Sequence, residues 1–215
     1  MPELVQCRAI WLGLPGWEGS DVVILASGPS LTLEQCEQVR AWRQADPTRR
    51  VVVINNTYQR APWADLLYAC DAPWWRLHIA DVQERFTGAL WTQDKAAAEQ
   101  FGAIHYIESS RNPGLGKRPG VIHQGGNSGY QAINLVVQAG ARRIVLVGMD
   151  MRGHHWHGKH DRGLPNTPPW LFARWLGNFE ALASDLEKEG VEVVNATPGS
   201  ALQHFPMVAL AEALS

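Results

Sequence analysis

Three runs of aliphatic, mostly β-branched residues limit what this chain can fold into: Val22 to Ala26, Val51 to Ile54 and Ile144 to Val147. None alternates with polar residues, so each reads as a strand covered on both faces, and segments of helical composition separate them. The same reading predicts strands at Val22–Ala26, Arg50–Asn55, Ala64–Cys70, Leu90–Thr92, Ile104–Ile107, Arg143–Val147 and Val191–Val194. Helices are predicted at Thr32–Gln44, Trp74–Phe86, Lys95–Phe101, Asn127–Ala139, Trp170–Glu189 and Met207–Leu214. Strands alternating with helices imply an α/β protein, a three-layer αβα sandwich around a mainly parallel sheet. Two stretches rich in Gly, Pro, Asn and His, about 109–126 and 152–169, are expected to form loops or a lid over the carboxyl edge of that sheet, the first of them mobile.

At 215 residues and 46% apolar, the chain can bury one substantial core, so a single α/β domain over 1–215 is expected. A net charge of −2 gives no strong nucleic-acid signal and argues against a membrane-surface protein. Cys7, Cys36 and Cys70 are odd in number, far apart and without a CxxC pair, which reads as reduced thiols in a cytoplasmic protein. No basic leader segment and no run near 20 apolar residues occurs, so no membrane span is expected. A homo-oligomer is left open.

In parallel sheets ligands bind beyond the carboxyl ends of the strands. The residues expected there are polar: Ser27-Gly28-Pro29-Ser30, Asn55-Asn56-Thr57, Cys70-Asp71, Asp150 and Asn195-Ala196-Thr197. Any one of them is ordinary turn chemistry, with glycine for positive φ, proline at its preset φ and Ser30 as a helix N-cap. Together on one edge they make a crevice of nucleotide size, where free N–H groups at a helix start would attract phosphate. Adjacent Trp74 and Trp75 cannot both face a core from one helix, so one is expected at the crevice mouth; Lys117 and Arg118 are candidates to close over a phosphate. The loop Gly153 to Asp161 carries His154, His155, His157 and His160 within seven residues. It supports three readings: a solvated polar loop, a proton-transfer group near neutral pH, or a transition-metal site, whose spacing matches no HExxH pattern.

The order and spacing of these pieces resemble a known group. SGPSL after the first strand, INN after the second, and the run Ser128, Gly129, Ala132, Ile133, Leu135, Gly140, Ile144, Leu146, Gly148, Asp150 are similar to the Rossmann-like group of bacterial sialyltransferases and the 6-hydroxymethylpterin diphosphokinase family, with its bacterial and phage relatives. The resemblance implies a Rossmann-like fold and a nucleotide-dependent transferase, sialyltransferase-like, using a nucleotide-activated donor of CMP type and an acceptor the sequence does not name. It places the nucleotide on Ser27, Gly28, Pro29, Ser30, Asn55, Asn56, Asp71, Ser128 and Gly129, and chemistry on His157, His160 and Asp150. Ser27 stands where sialyltransferases usually carry Asn, and Trp156 is the aromatic nearest the place of their phosphate-gripping tyrosines. The diphosphokinase alternative would transfer diphosphate from ATP with Mg²⁺ at Asp71 and Asp150, a single carboxylate after the third strand where that family pairs two. A third alternative keeps the crevice as a non-catalytic nucleotide-binding module. No metal ligand set is assigned.

Overall fold

The computed structural model describes residues 14–160 and 163–215; Cys7, Asp161 and the chain's first residues fall outside the described set. The elements run β1 (Asp21–Leu25), α1 (Leu33–Ala45), β2 (Arg50–Ile54), a 3₁₀ turn (Asn55–Gln59), β3 (Leu66–Tyr68), α2 (Ala72–Arg85), β4 (Ala89–Thr92), α3 (Lys95–Phe101), β5 (His105–Tyr106), β6 (Glu108–Ser110), β7 (Val121–His123), α4 (Ser128–Gln138), β8 (Arg143–Val147), α5 (Pro169–Lys188), β9 (Glu192–Asn195) and α6 (Leu210–Ala213).

Seven strands pair in parallel in the order β5-β4-β3-β2-β1-β8-β9, the α/β sandwich the alternation implies. The chain winds from β1 outward to β5, then returns to lay β8 on the other side of β1. The winding reverses between β1 and β8, and the carboxyl ends of that pair are the topological switch point.

The unalternating strands are buried on both faces because both faces are covered. Val22, Ile24, Val52 and Leu146 pack with Ile133, Leu135, Phe179 and Leu182 of α4 and α5. Val23, Leu25, Val53 and Val145 pack with Cys36, Val39, Trp42 and Val82 of α1 and α2. Each such aliphatic side chain contributes about 1.5–3 kcal/mol by leaving water, so the central strands anchor everything at their ends.

Four details depart from the sequence reading. The N-cap of α1 is Thr32, not Ser30: Gln35 N donates to Thr32 Oγ1 at 3.1 Å and Thr32 N to Gln35 Oε1 at 2.9 Å, a complete capping box. Trp74 and Trp75 are both buried. Trp74 packs edge to face on Tyr58 of the 3₁₀ turn and its Nε1 donates to Asn56 Oδ1, while Trp75 Nε1 donates to Ala69 O just after β3, so the two neighbours are covered by different segments.

The segment 109–126 is an anchored flap rather than a free loop. Its strands β6 and β7 pair in parallel, and Leu115, Val121 and Ile122 are buried. Helix α4 holds it through polar side chains that its apolar periodicity hides. Asn134 Oδ1 accepts from Gly116 N and His123 N, and Gln138 Nε2 donates to the carbonyls of Gly116, Arg118 and Val121. Lys117 and Arg118 do not reach toward the crevice; they pair at the surface with Glu189 and Glu108. Finally, the terminal helix is shorter than expected, because Met207 bridges to Asn195 and extends the edge of the sheet. No helix among the described residues is long and apolar enough to cross a membrane.

Candidate functional site

A cleft of about 310 Å³ opens at the switch point. Its floor is built from strand ends: Ser27 and Gly28 after β1, Asn55 after β2, Cys70 and Asp71 after β3, and Met149 and Asp150 after β8, with Ser128 and Gly129 from the start of α4. Its opposite wall is apolar, with Leu164, Pro168, Leu171, Phe172 and Trp175 from α5 and the segment before it. Phe172 meets Trp175 edge to face at 5.5 Å, and Trp175 lies so close to Gly126 that a Cβ there would stand 2.7 Å from its Nε1. Backbone strain also collects here. Asn55 (φ 49°) and Met151 (φ 53°) are the non-glycine residues with left-handed backbone among the described residues, and both line the cleft.

The corner after β1 is not the open phosphate cradle its composition suggests. Gly28 N donates to Gly148 O at 2.8 Å, Pro29 has no N–H, and Ser30 donates to the Asp150 carboxylate from its backbone N (3.3 Å) and its Oγ (2.8 Å). Glycine is required for space, not for positive φ, since a Cβ on Gly28 would stand 2.0 Å from Asp150 Oδ2 and 2.4 Å from Gly148 O. Asp150 thus crosses the switch point to hold the first turn by its own charge. Burial pushes its pKa up and the Ser30 bonds pull against that rise. A phosphate at this corner would meet a carboxylate already in place.

The groups left open lie elsewhere. Helix α4 points its N-terminus at the cleft; Asn127 caps it through Tyr130 N, while Asn127 Nδ2 is buried with no hydrogen-bond partner. Arg152, an exposed cation, also lines the cleft. Ser128 Oγ donates to Cys70 Sγ and Cys70 Sγ to Asp71 Oδ2, each at 3.2 Å, and burial raises the thiol pKa well above its ordinary range. Among the described residues Cys36 and Cys70 are free thiols, as their spacing implied.

The histidine loop folds inward. Trp156 N donates to Ser27 O at 3.0 Å, Trp156 Nε1 meets Thr57 Oγ1 at 3.3 Å, and the Arg60 guanidinium sits 3.9 Å above the indole. This places His155 Nδ1 3.0 Å from Ser27 Oγ. His155 stacks on His157 (5.0 Å, 7°) and tilts against His160 at 4.4 Å. Burial, then the charges of His160 and His157, lower the His155 pKa to about 4, so the ring is neutral at pH 7. Parallel rings do not converge their nitrogens, and no group of three His, Cys, Asp or Glu suited to a metal ion occurs among the described residues.

Of the residues singled out from sequence, Ser27, Gly28, Asn55, Asp71, Ser128, Gly129, Asp150 and His160 meet in the cleft. Pro29 is exposed and Ser30 is spent on Asp150; neither lines it. Asn56 is buried beneath Trp74, and His157 supports His155 from behind. His155 was named only as one of the four loop histidines, with chemistry assigned to His157 and His160, and Arg152 and the aromatic face of α5 were not singled out. Nothing local distinguishes which of the four rings meets Ser27, 128 residues away in sequence. No protein-family model matches this chain, and no curated protein matches it.

Proposed function

We propose that the chain is a nucleotide-dependent transferase, using a nucleotide-activated donor in the manner of the sialyltransferase-like glycosyltransferases it resembles. The observation that carries this reading is the convergence of five chain segments at one switch-point cleft, with polar groups on the floor and a histidine-bearing loop across it. In this reading the donor phosphate sits at the N-terminus of α4, away from the occupied Gly28–Ser30 corner, because a helix start and the buried Asn127 amide line the cleft there, and Arg152, which also lines it, adds a cation. Asn55, held in a strained conformation with its side chain at the cleft, reads the base or ribose. His160, at the lid side, takes the acceptor proton. The diphosphokinase alternative finds less support: Asp150 is engaged by Ser30, which leaves Asp71 as the open carboxylate, where Mg²⁺ would want one or two carboxylates beside substrate phosphates.

The test is calorimetric titration with CMP, CDP, ATP and GTP, with and without Mg²⁺. Metal-independent binding of a cytidine nucleotide, weakened about ten-fold or more by Arg152→Ala and unchanged by Ser30→Ala, supports the reading. Binding of ATP only with Mg²⁺ moves it to diphosphate transfer, and no nucleotide binding at all ends it.

A further inference from the structure

We propose that Ser27 and His155 form a nucleophile and base pair that opens carboxylic esters with apolar acyl or aryl groups, an activity separate from nucleotide transfer. Three geometric facts carry it. Ser27 Oγ and His155 Nδ1 are 3.0 Å apart, and both residues line the cleft. The pair is clamped at two points, since Ser27 O accepts from Trp156 N of the residue next to His155, and Trp156 is fixed on Thr57 and Arg60. These bonds hold the backbone beside His155 against Ser27, and the ring is packed between His157 and His160, which is the preorganisation a nucleophile needs. The third fact is the surroundings: the positive end of α4 faces the same cleft, and Phe172 and Trp175 offer an apolar bed for a leaving or acyl group.

A buried serine hydroxyl can need a partner simply to be satisfied. That role would be met by any nearby carbonyl deep in the fold. Here the partner is an imidazole nitrogen, and both groups line an open cleft.

With the ring protonated at Nε2, Ser27 donates to Nδ1. Ser27 Oγ adds to the ester carbonyl carbon as its proton passes to Nδ1. The bond from that carbon to the leaving oxygen then breaks, and the proton leaves with the alcohol. Water repeats the sequence on the acyl-serine, giving the acid and regenerating Ser27. Ester and water become acid and alcohol, with no oxidant or further reactant.

The experiment uses the whole chain with two probes, a biotinylated ethyl fluorophosphonate and 4-nitrophenyl acetate. With the fluorophosphonate the Oγ–P bond forms, the P–F bond breaks and fluoride leaves with the proton. The expected result is one adduct per chain, mapped by peptide mass spectrometry to Ser27, absent in Ser27→Ala and formed at least about ten-fold more slowly in His155→Gln. With the ester, a burst of about one 4-nitrophenolate per chain should precede slower turnover. No adduct on the wild-type chain, an adduct on any other residue, or equal labelling of His155→Gln overturns the proposal. Peptide mapping on the wild type decides even if a variant fails to fold. No nucleotide is present, so the result stands apart from the nucleotide titrations.

Discussion

Gly28→Ala should unfold this protein more readily rather than merely loosen a ligand. The added Cβ would stand 2.0 Å from Asp150 Oδ2, 2.4 Å from Gly148 O and 2.7 Å from Asp150 Cγ, where ordinary contacts begin above 3 Å. Two of those atoms belong to a side chain that can turn; the third is backbone directly after β8, hydrogen-bonded to Gly28 N. Moving Asp150 aside costs its bonds with Ser30, about 1.5–3 kcal/mol for bonds to a charged group. Shifting the Gly148 carbonyl adds an overpacking cost of about 1–3 kcal/mol. The sum is about 2.5–6 kcal/mol, or a fall of about 1–3 M in the urea midpoint at a slope near 2 kcal/mol/M. The assay is urea unfolding followed by tryptophan fluorescence and far-UV circular dichroism together. Adding Asp150→Ala should recover only part of the loss, because the carbonyl remains. A Gly28→Ala protein as stable as wild type would refute the crowding argument and restore the corner as an open cradle.

Asp150 has a raised pKa in the folded state, so its ionised form opposes folding: relative to Asp150→Asn, wild type should gain stability as pH falls from above the folded pKa toward the ordinary carboxylate value, read by denaturation at pH 4 to 8. His155 is shifted the other way. Its contribution is full above pH 6.5 and is lost as pH falls toward about 4, so wild type should lose of order 1–3 kcal/mol across that window relative to His155→Gln. Asn55→Gly should keep stability within about 1 kcal/mol yet lose nucleotide affinity, whereas Asn55→Ala should lose both, since only the second is strained at φ 49°. Gln138→Leu removes the donor to three carbonyls of the flap, and hydrogen exchange over residues 115–123 should rise while exchange in β1 and β8 stays unchanged.

The fold was legible because its signals are local. Unbroken runs such as Val51 to Ile54 can be satisfied only between two layers, and the helices between them fix parallel pairing. The polar floor was legible for a related reason: strand ends in a parallel sheet share one edge, so Ser27, Asn55, Asp71 and Asp150 had to meet once the strands were placed. What the sequence hid were roles decided by partners far along the chain. Thr32 and Ser30 are equally good caps by composition, and the choice fell to Thr32 because Gln35 completes its box while Asp150 takes Ser30 from 120 residues away. The flap read as mobile because its glycines and prolines are visible locally, whereas nothing local shows that Asn134 and Gln138, on a separate helix, reach across to hold its backbone.

The position of Asp150 carries the widest consequence. In a switch-point cleft the first turn ordinarily offers its N–H groups to an anionic ligand. Here the Gly148 carbonyl accepts Gly28 N and the Asp150 carboxylate accepts Ser30 N, the carboxylate's cost in burial offset by two bonds from Ser30 and by the nearby Arg152. The positive potential of that corner is therefore already spent, and in the proposed reading an incoming anion is left with the end of α4 and with Arg152, which also lines the cleft. A crystal or NMR study with a bound nucleoside monophosphate would check it directly: the phosphate should lie against Ser128, Gly129 and Arg152. A phosphate bonded to Ser30 N with Asp150 swung out would refute the argument, because the carboxylate would then be a gate that ligand binding opens.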